Sequence, residues 1–380
     1  MSALDDLAVK AGDDDVVGGV PARLVAAPAS TEEAAALIAA SAGLTVVIRG
    51  GGTKLDWGTP PRDLDLIIDT RRLSGVVEHA AGDLITVVRA GTPMAELHAL
   101  PGQQLALDAP AAATAGGTVA ANASGPRRLR YGTARDLLIG ITVVRPDGRV
   151  AKAGGKVVKN VAGYDLGKLY TGSFGTLGLI TECVFRLHPV PAATSFVRAV
   201  APPGAAARIL AGQFAASGLE VHAAPGADPE LAVLLEGTAA GVRDRALEIA
   251  RLLDGEVSAE PPPWWGATPP GSVLVKLTGV LSQVPALVAT AVGAGATVTG
   301  SAGAGVLYAG FTCDPHGRVE LLRAAAVRAG GHAVVLTAPD DVRDTLDIWG
   351  PVPGLALMRR VKDQFDPAHR FAPGRFAGGI

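Results

Sequence analysis

Cys183 and Cys313 are the only thiols in a chain of 380 residues. Two thiols cannot build a disulfide framework and fall short of the four that hold an iron–sulfur cluster, so any such cluster belongs on another chain. Charge is scarce too: 18% of residues are Asp, Glu, Lys or Arg, and the formal net charge is -2. A near-neutral balance gives no bulk attraction for nucleic acid or an anionic membrane. No apolar run approaches the roughly 20 residues that cross a bilayer. The N-terminus has no basic region ahead of an apolar core, and Asp13-Asp14-Asp15 has the wrong sign for export, so a cytoplasmic location is expected. No Gly-x-Gly-x-x-Gly follows the first strand and no Walker lysine motif is present, which disfavours a nicotinamide dinucleotide crevice and a P-loop. Thr171 stands where a nucleophile elbow around Ser173 needs glycine, which disfavours hydrolase chemistry.

Glycine, by contrast, is abundant, with 49 residues, and 48% of the chain is hydrophobic. That composition over this length predicts a well-packed protein of two domains. Three glycine-rich turns each adjoin a strand: Arg49 to Lys54, Ala113 to Gly125, and Gly172 to Thr181. Backbone amides without a neighbouring Cβ can approach a ligand closely, and consecutive N–H groups form a nest for anionic oxygens. Three such turns point to a large, phosphate-bearing cofactor. Arg127, Arg128 and Arg130 follow the second turn as a basic knot, either a solvated face or a contact for phosphate or a partner chain.

Residues 1–19 lack periodicity and read as a loose lead-in. Ser30 to Glu33 gives a capping box before an Ala/Leu/Ile helix ending near Gly43, and Leu44 to Ile48 reads as a buried strand. Short strands outnumber helices as far as Pro191, a pattern that is α+β rather than doubly wound. After Pro189-Val190-Pro191, strand and helix alternate to about residue 350, predicting a separate α/β domain. A helix from Ala356 leads into Phe365-Asp366-Pro367 and Phe371-Ala372-Pro373-Gly374-Arg375, expected to return to the first domain. The expected organisation is therefore 1–19 lead-in, 20–191 first domain, 192–350 second domain and 351–380 returning tail.

Several isolated features read most simply as structural. The glycines between Gly293 and Gly305 lack dinucleotide spacing and read as a flexible loop. His332 reads as a structural histidine before an apolar strand, and Tyr308 as core. Trp264 and Trp265 either bury a domain edge or line a substrate mouth.

The order of these motifs resembles the vanillyl-alcohol oxidase and p-cresol methylhydroxylase (PCMH-type) FAD-binding superfamily. Within it, the chain is most similar to the FAD-binding subunits of bacterial glycolate oxidases, from about Val20 to Arg375. The resemblance is carried by Ser124-Gly125-Pro126-Arg127-Arg128, Gly132 to Asp136 and Lys159-Asn160-Val161-Ala162-Gly163-Tyr164-Asp165. It implies an α+β fold: a PCMH-type FAD-binding domain of two α+β subdomains with a second α/β cap domain.

By the resemblance, the FAD pyrophosphate sits on Ile48, Arg49, Gly50, Gly51, Gly52, Thr53 and Lys54. Asp108, Thr114, Gly116, Gly117, Ala121, Asn122, Ser124, Gly125, Gly175, Thr176, Gly178 and Ile180 are the implied remainder of the cofactor site. Thr53 stands where covalently flavinylated relatives have histidine, so non-covalent FAD is expected. Relatives acting on 2-hydroxy acids hold a metal with cap-domain histidines, whereas Gly305 to Gly310 here has none; no metal is expected. His332 and Arg375 are the candidates for substrate contact. Ala372 replaces the usual asparagine of the family tail.

The implied activity is oxidation of a small 2-hydroxy acid, glycolate or D-lactate, by hydride transfer to FAD. The implied partners are a second flavoprotein subunit and an iron–sulfur subunit. A self-sufficient FAD-dependent dehydrogenase of another alcohol or hydroxy acid, and a non-catalytic subunit with structural or relay FAD, remain as alternatives.

Overall fold

The computed structural model describes Leu4, residues 6–156, 164–202 and 204–380. The Lys159-to-Gly163 part of the family motif lies outside them. The chain forms two compact units: Met1–Ser124, Thr133–Pro189 and Pro351–Ile380 make the first, and Gly125–Gly132 with Val190–Gly350 the second.

The first unit holds two main sheets. In the smaller, Leu66–Asp69 lies between Leu24–Ala26 and Val46–Arg49 and runs parallel to both, while Val9–Lys10 pairs antiparallel with the outer edge. Helix Thr31–Ala40 covers it, sealing Ala34, Leu37 and Ile38 against Val46, Leu66 and Ile68. Ser30 Oγ accepts from Glu33 N at 3.1 Å, and the Glu33 carboxylate accepts from Ala29 N at 2.7 Å, which fixes the helix start. The larger sheet is antiparallel, in the order Val150–Gly154, Leu138–Val144, Leu179–Arg186, Ile85–Arg89, Val76–Ala80. Cys183 is fully buried in its core, and burial pushes the thiol pKa up, so it behaves as a small hydrophobe.

Among the described residues, the segment from Val9 to Gly19 is not a loose lead-in. Val9–Lys10 joins the smaller sheet, Val16–Val17 pairs with Val20–Pro21, and Asp15 forms an ion pair with Arg49 at 2.7 Å. Alternating short apolar pairs are too brief to show periodicity, so the sequence pattern misses them.

Main-chain bonds fix the C-terminal segment beside Val46. Val46 N donates to Arg370 O at 2.8 Å, and Ala372 N donates to Val46 O at 2.7 Å. The Arg370 guanidinium donates to Ile38 O at 2.9 Å and to Ser41 O, satisfying carbonyls at the end of the Thr31–Ala40 helix where a cation suits the dipole. Ala372 is buried with a φ of +47°, a left-handed conformation that asparagine tolerates better than alanine.

The second unit is built on one eight-stranded sheet: Glu256–Ser258, Ala193–Val200, Glu230–Gly237, Gly218–Ala223, Thr297–Ser301, Val306–Phe311, Val273–Thr278, Ala333–Thr337. Every neighbouring pair is antiparallel. The strand–helix alternation read from the sequence is present, but it does not give a parallel α/β sheet. In each half a strand–helix–strand unit is followed by a hairpin strand that inserts between the two strands the helix joins. The halves are thus two βαββαβ repeats, Ala193–Ser258 and Val273–Thr337, joined edge to edge. Helices Ala239–Leu253, Val284–Gly293 and Pro315–Arg328 bury one face over Val197, Val233, Val275 and Leu307.

Residues 125–132 belong to this unit, not to the first domain as the sequence reading had it. Arg130 Nη1 donates to Ser217 Oγ at 3.3 Å, and Tyr131 OH donates to Glu236 Oε2 at 2.9 Å. Burial and the Glu236 charge push the Tyr131 phenol up to about 12. Trp264 and Trp265 cover the face of the sheet opposite the helices. Trp264 Nε1 donates to Glu230 at 2.7 Å with its ring 5.4 Å from that of His222, and Trp265 meets Phe196 edge-on at 5.2 Å.

Candidate cofactor site

Strand Val46–Arg49 ends in a turn whose amides do no work inside the protein. Among the described residues, Gly50, Gly51, Gly52, Thr53 and Lys54 donate no backbone hydrogen bond. Consecutive orphan N–H groups of this kind form a nest with partial positive charge. Arg49 turns its side chain away, into Asp15 at 2.7 Å and Asp69 at 3.0 Å, so it anchors the turn and does not line the cleft. Lys54 does line it, its ammonium 4.1 Å from the Trp57 ring centroid. Burial pushes the Lys54 pKa down, against the opposing pull of Asp56.

The second glycine turn abuts the first. A Cβ on Gly50 would stand 2.3 Å from Thr114 Oγ1, and one on Gly51 would stand 1.8 Å from Ala112 O. These two glycines are therefore required by turn-against-turn packing before any ligand is considered. Thr114 caps the short helix Ala115–Ala120, accepting from Gly117 N at 3.3 Å, and Gly116 lies against Ala90. Gly117 is exposed, and a Cβ there would meet only Thr114 Oγ1, at 3.0 Å. Thr118 Oγ1 is buried without a hydrogen-bond partner.

The third turn closes onto that helix. Gly172 N donates to Val119 O at 3.0 Å and Phe174 N donates to Ala120 O at 2.9 Å. Phe174 holds a φ of +56° that presents its ring at the cleft, packed 5.4 Å from Phe376. Gly178, at φ +154°, allows the chain to pass Val144 O, which a Cβ would approach to 2.9 Å.

Together these segments line one cleft that is open to solvent. Ile48, Gly50, Gly51, Gly52, Thr53, Lys54, Thr114, Gly116, Gly117, Ala121, Gly175, Gly178 and Ile180 all line it. Of the remaining expected residues, Asp108 and Ser124 lie outside the lining, and Gly125 belongs to the second unit. Asn122 is absent from the lining, its Oδ1 accepting from Arg135 N at 3.3 Å. Thr176 is buried behind the turn, its hydroxyl donating to Ser173 O at 2.7 Å.

Val47, Leu55, Thr70, Ala90, Thr118 and Ala120 line the cleft without having been named, while Ala113 and Phe174, also in the lining, fall in stretches the resemblance implies for the cofactor. Thr118 and Ala120 lie within the glycine-rich stretch and could have been found there. Thr70 and Ala90 follow other strands and carry no local signal.

Of the two candidates for substrate contact, Arg375 lines the cleft and His332 does not. His332 is exposed in the second unit, tied to Thr278 through its backbone at 2.8 and 2.9 Å. Arg375 does line the cleft, but Nη2 donates to the carbonyls of Leu55 at 2.9 Å and Trp57 at 2.7 Å. This guanidinium holds the far limb of the Gly50–Lys54 turn. Charge-assisted hydrogen bonds are worth about 1.5–3 kcal/mol each, so Arg375→Met is expected to weaken cofactor affinity about tenfold or more. Equilibrium flavin titration checks this; unchanged affinity with a raised substrate KM would restore the substrate role.

Residues 22–154 match the family described as an FAD binding domain. Glycolate oxidase subunit GlcE of Escherichia coli (strain K12) is 37% identical over 159 residues, covering 40% of this chain and 45% of that protein. D-lactate dehydrogenase of Archaeoglobus fulgidus is 36% identical over 157 residues, covering 38% of this chain and 34% of that protein. The matched stretches thus span under half the length of these relatives. Among solved structures, an alkyldihydroxyacetonephosphate synthase superposes with a TM-score of 0.69 at 18% identity, covering 93% of this chain and 77% of its own.

The chain carries an FAD-binding domain, with a fold like that of the PCMH-type FAD oxidases. The cleft suits that cofactor on its own terms. Five unengaged amides and the Lys54 ammonium answer the needs of a pyrophosphate, and Thr118 Oγ1 is a buried polar atom lacking a partner. Ile48, Phe174 and Ile180 supply apolar surface for a flat ring.

Proposed function

We propose that this chain is an FAD-dependent oxidoreductase acting on a small 2-hydroxy acid, glycolate or D-lactate. In this reading it is the flavin subunit of a glycolate oxidase-like complex in which a second flavoprotein assists and an iron–sulfur subunit receives the electrons. The observation that carries the reading is the row of unengaged amides from Gly50 to Lys54 at the mouth of an apolar cleft, within the stretch matched to FAD-binding domains. Similarity to a glycolate oxidase subunit and a D-lactate dehydrogenase supports the substrate class.

Bound FAD supplies the hydride acceptor, chemistry no side chain can provide. The protein's part is to bind, orient and dehydrate. The Gly50–Lys54 amides and Lys54 hold the pyrophosphate, while Phe174, Ile48 and Ile180 exclude water from the ring. Thr53 has no nucleophilic nitrogen for a flavin bond, so the cofactor is held without a covalent link.

The test is the visible spectrum of the flavin-loaded chain under anaerobic conditions, before and after glycolate and then D-lactate. Bleaching by either acid is expected. A spectrum unmoved by both would remove 2-hydroxy-acid oxidation from this chain.

A further inference from the structure

Helix Val284–Gly293 of the second unit carries no charged residue on any side. Its sequence is Val-Pro-Ala-Leu-Val-Ala-Thr-Ala-Val-Gly, and Val284, Leu287, Val288 and Ala291 are its buried residues. Pro285, Ala286, Ala289 and Gly293 are exposed on the outward side. A helix that is apolar all round belongs in an interior, because its outer face in water forgoes the burial that apolar surface favours.

The neighbouring helix continues this surface. Pro315–Arg328 packs beside the first and buries Val319, Leu322, Arg323, Ala325 and Ala326, while Glu320, Leu321, Ala324, Val327 and Arg328 are exposed. Val280 lies at its C-terminal end, its N–H donating to Ala329 O at 2.9 Å. Val280 is 52% exposed, Leu281 47%, Leu321 44% and Val327 62%. Large aliphatic side chains left half in water on adjoining elements form a patch, unlike the scattered single residues usual on a surface. The other βαββαβ repeat gives the contrast. Its corresponding helix, Ala239–Leu253, exposes Arg243, Asp244, Glu248 and Arg251 around Leu247. Equivalent positions are thus charged in one repeat and apolar in the other.

Charges at the rim point to what covers the patch. Glu320 lies four residues before Ala324 and Arg328 four residues after, all on the exposed face of one helix. When two copies of this helix pack antiparallel about a two-fold axis at Ala324, Glu320 of each comes level with Arg328 of the other. Leu321 of each then comes level with Val327 of the other. Alanine at the crossing lets the helix axes approach to about 8 Å. Among the described residues the Arg328 guanidinium makes no hydrogen bond or ion pair. Glu320 holds Arg323 at 3.1 Å, yet its side chain is 71% exposed, and a carboxylate can accept from a second cation. A contact with a different protein needs no such internal symmetry, whereas an isologous contact requires it.

We propose that two copies of this chain pair through this face, with helix Pro315–Arg328 of each antiparallel to the other about Ala324. The pairing is independent of the reaction proposed above.

Sedimentation velocity of the flavin-loaded chain, from about 1 to 100 μM, is expected to show a concentration-dependent dimer. Ala324→Glu sets two carboxylates against each other at the axis and is expected to weaken pairing at least about 100-fold. Arg328→Glu and Glu320→Arg each bring like charges together at both ends of the contact, and each is expected to weaken pairing about tenfold. Mixed in equal amounts, these two variants restore opposite charges at both ends, so a heterodimer of near wild-type affinity is expected. All three positions are exposed, and melting curves check that every variant is folded.

A wild-type chain that stays monomeric up to about 100 μM would overturn the pairing and leave the patch to a different protein. A dimer indifferent to Ala324→Glu would put the contact elsewhere and overturn it equally. Failure of the mixed charge variants to associate, where each alone is weakened, would overturn the antiparallel register about Ala324.

Discussion

Gly117→Leu is expected to leave the first unit folded and strip it of FAD. Most glycines of the cleft cannot make this test, because their missing Cβ is already needed by the protein. A side chain on Gly51 would drive into Ala112 O, so loss of flavin there would be inseparable from displaced turns. Gly117 is different. It is exposed at the cleft wall within the helix Ala115–Ala120, and its Cβ would meet only Thr114 Oγ1. Leucine is a better helix former than glycine by about 0.8 kcal/mol, which offsets a small shift of the cap. The rest of the side chain projects into the space the cofactor needs. Overlap with a bound ring system cannot relax cheaply in a packed site, so affinity should fall by about 100-fold or more. Flavin-to-protein ratio after gel filtration, with a melting curve on the same sample, reads both halves. A variant that purifies yellow would move the cofactor away from this wall, whereas a colourless variant with unchanged melting of the apo form would fix it there.

Lys362→Met is expected to have the largest effect on stability. Lys362 and Asp366 are both fully buried, 2.6 Å apart, in the C-terminal segment. The ammonium also donates to Thr176 O at 2.7 Å and Phe371 O at 2.8 Å, and the carboxylate accepts from Phe371 N at 2.8 Å. One cation therefore joins the third glycine turn to the segment that pairs with Val46. Desolvation pushes the Lys362 pKa down, opposed by Asp366. Methionine fills a similar volume, but it leaves a carboxylate buried without its counter-ion and two carbonyls without a donor. Breaking such a pair costs about 3–5 kcal/mol, or roughly 6–20 °C in Tm for a unit of this size. Adding Asp366→Leu should recover part of the loss, because no charge then remains unpaired. A single variant that melts within a degree or two of the wild type would mean that the pair is solvated and that Thr176 is held by other contacts.

Both expectations depend on placements the sequence shows unequally. The Gly50–Lys54 turn was legible, because glycine runs at a strand end have few other uses, and the same holds for the Thr114–Ala121 and Gly175–Ile180 stretches. The Arg49 side chain turns away from the cleft for a physical reason. A cation beside a phosphate-type turn reads as a ligand, but parallel pairing of its strand sets it beside Asp69. Asp69 is twenty residues away, and no local pattern reveals it. Arg375 was singled out for substrate, while its geometry serves the turn. Thr70 and Ala90 reach the cleft only through sheet pairing.

The sequence by itself determined the kind of cofactor, the division of the chain near Pro189 and the helix and strand content, because these follow from glycine placement and short-range periodicity. Tertiary structure alone decided three things. The second unit's sheet is antiparallel because a hairpin strand enters between strands joined by a helix, an order no alternation pattern encodes. Residues 125–132 belong to that unit because their side chains bond to its strands. Lys276 stands beside Tyr308 and Val334 because strand pairing brings together residues thirty and more positions apart. Each is a long-range pairing, and pairing energy depends on which strands meet, a property of the folded chain and not of any window of its sequence.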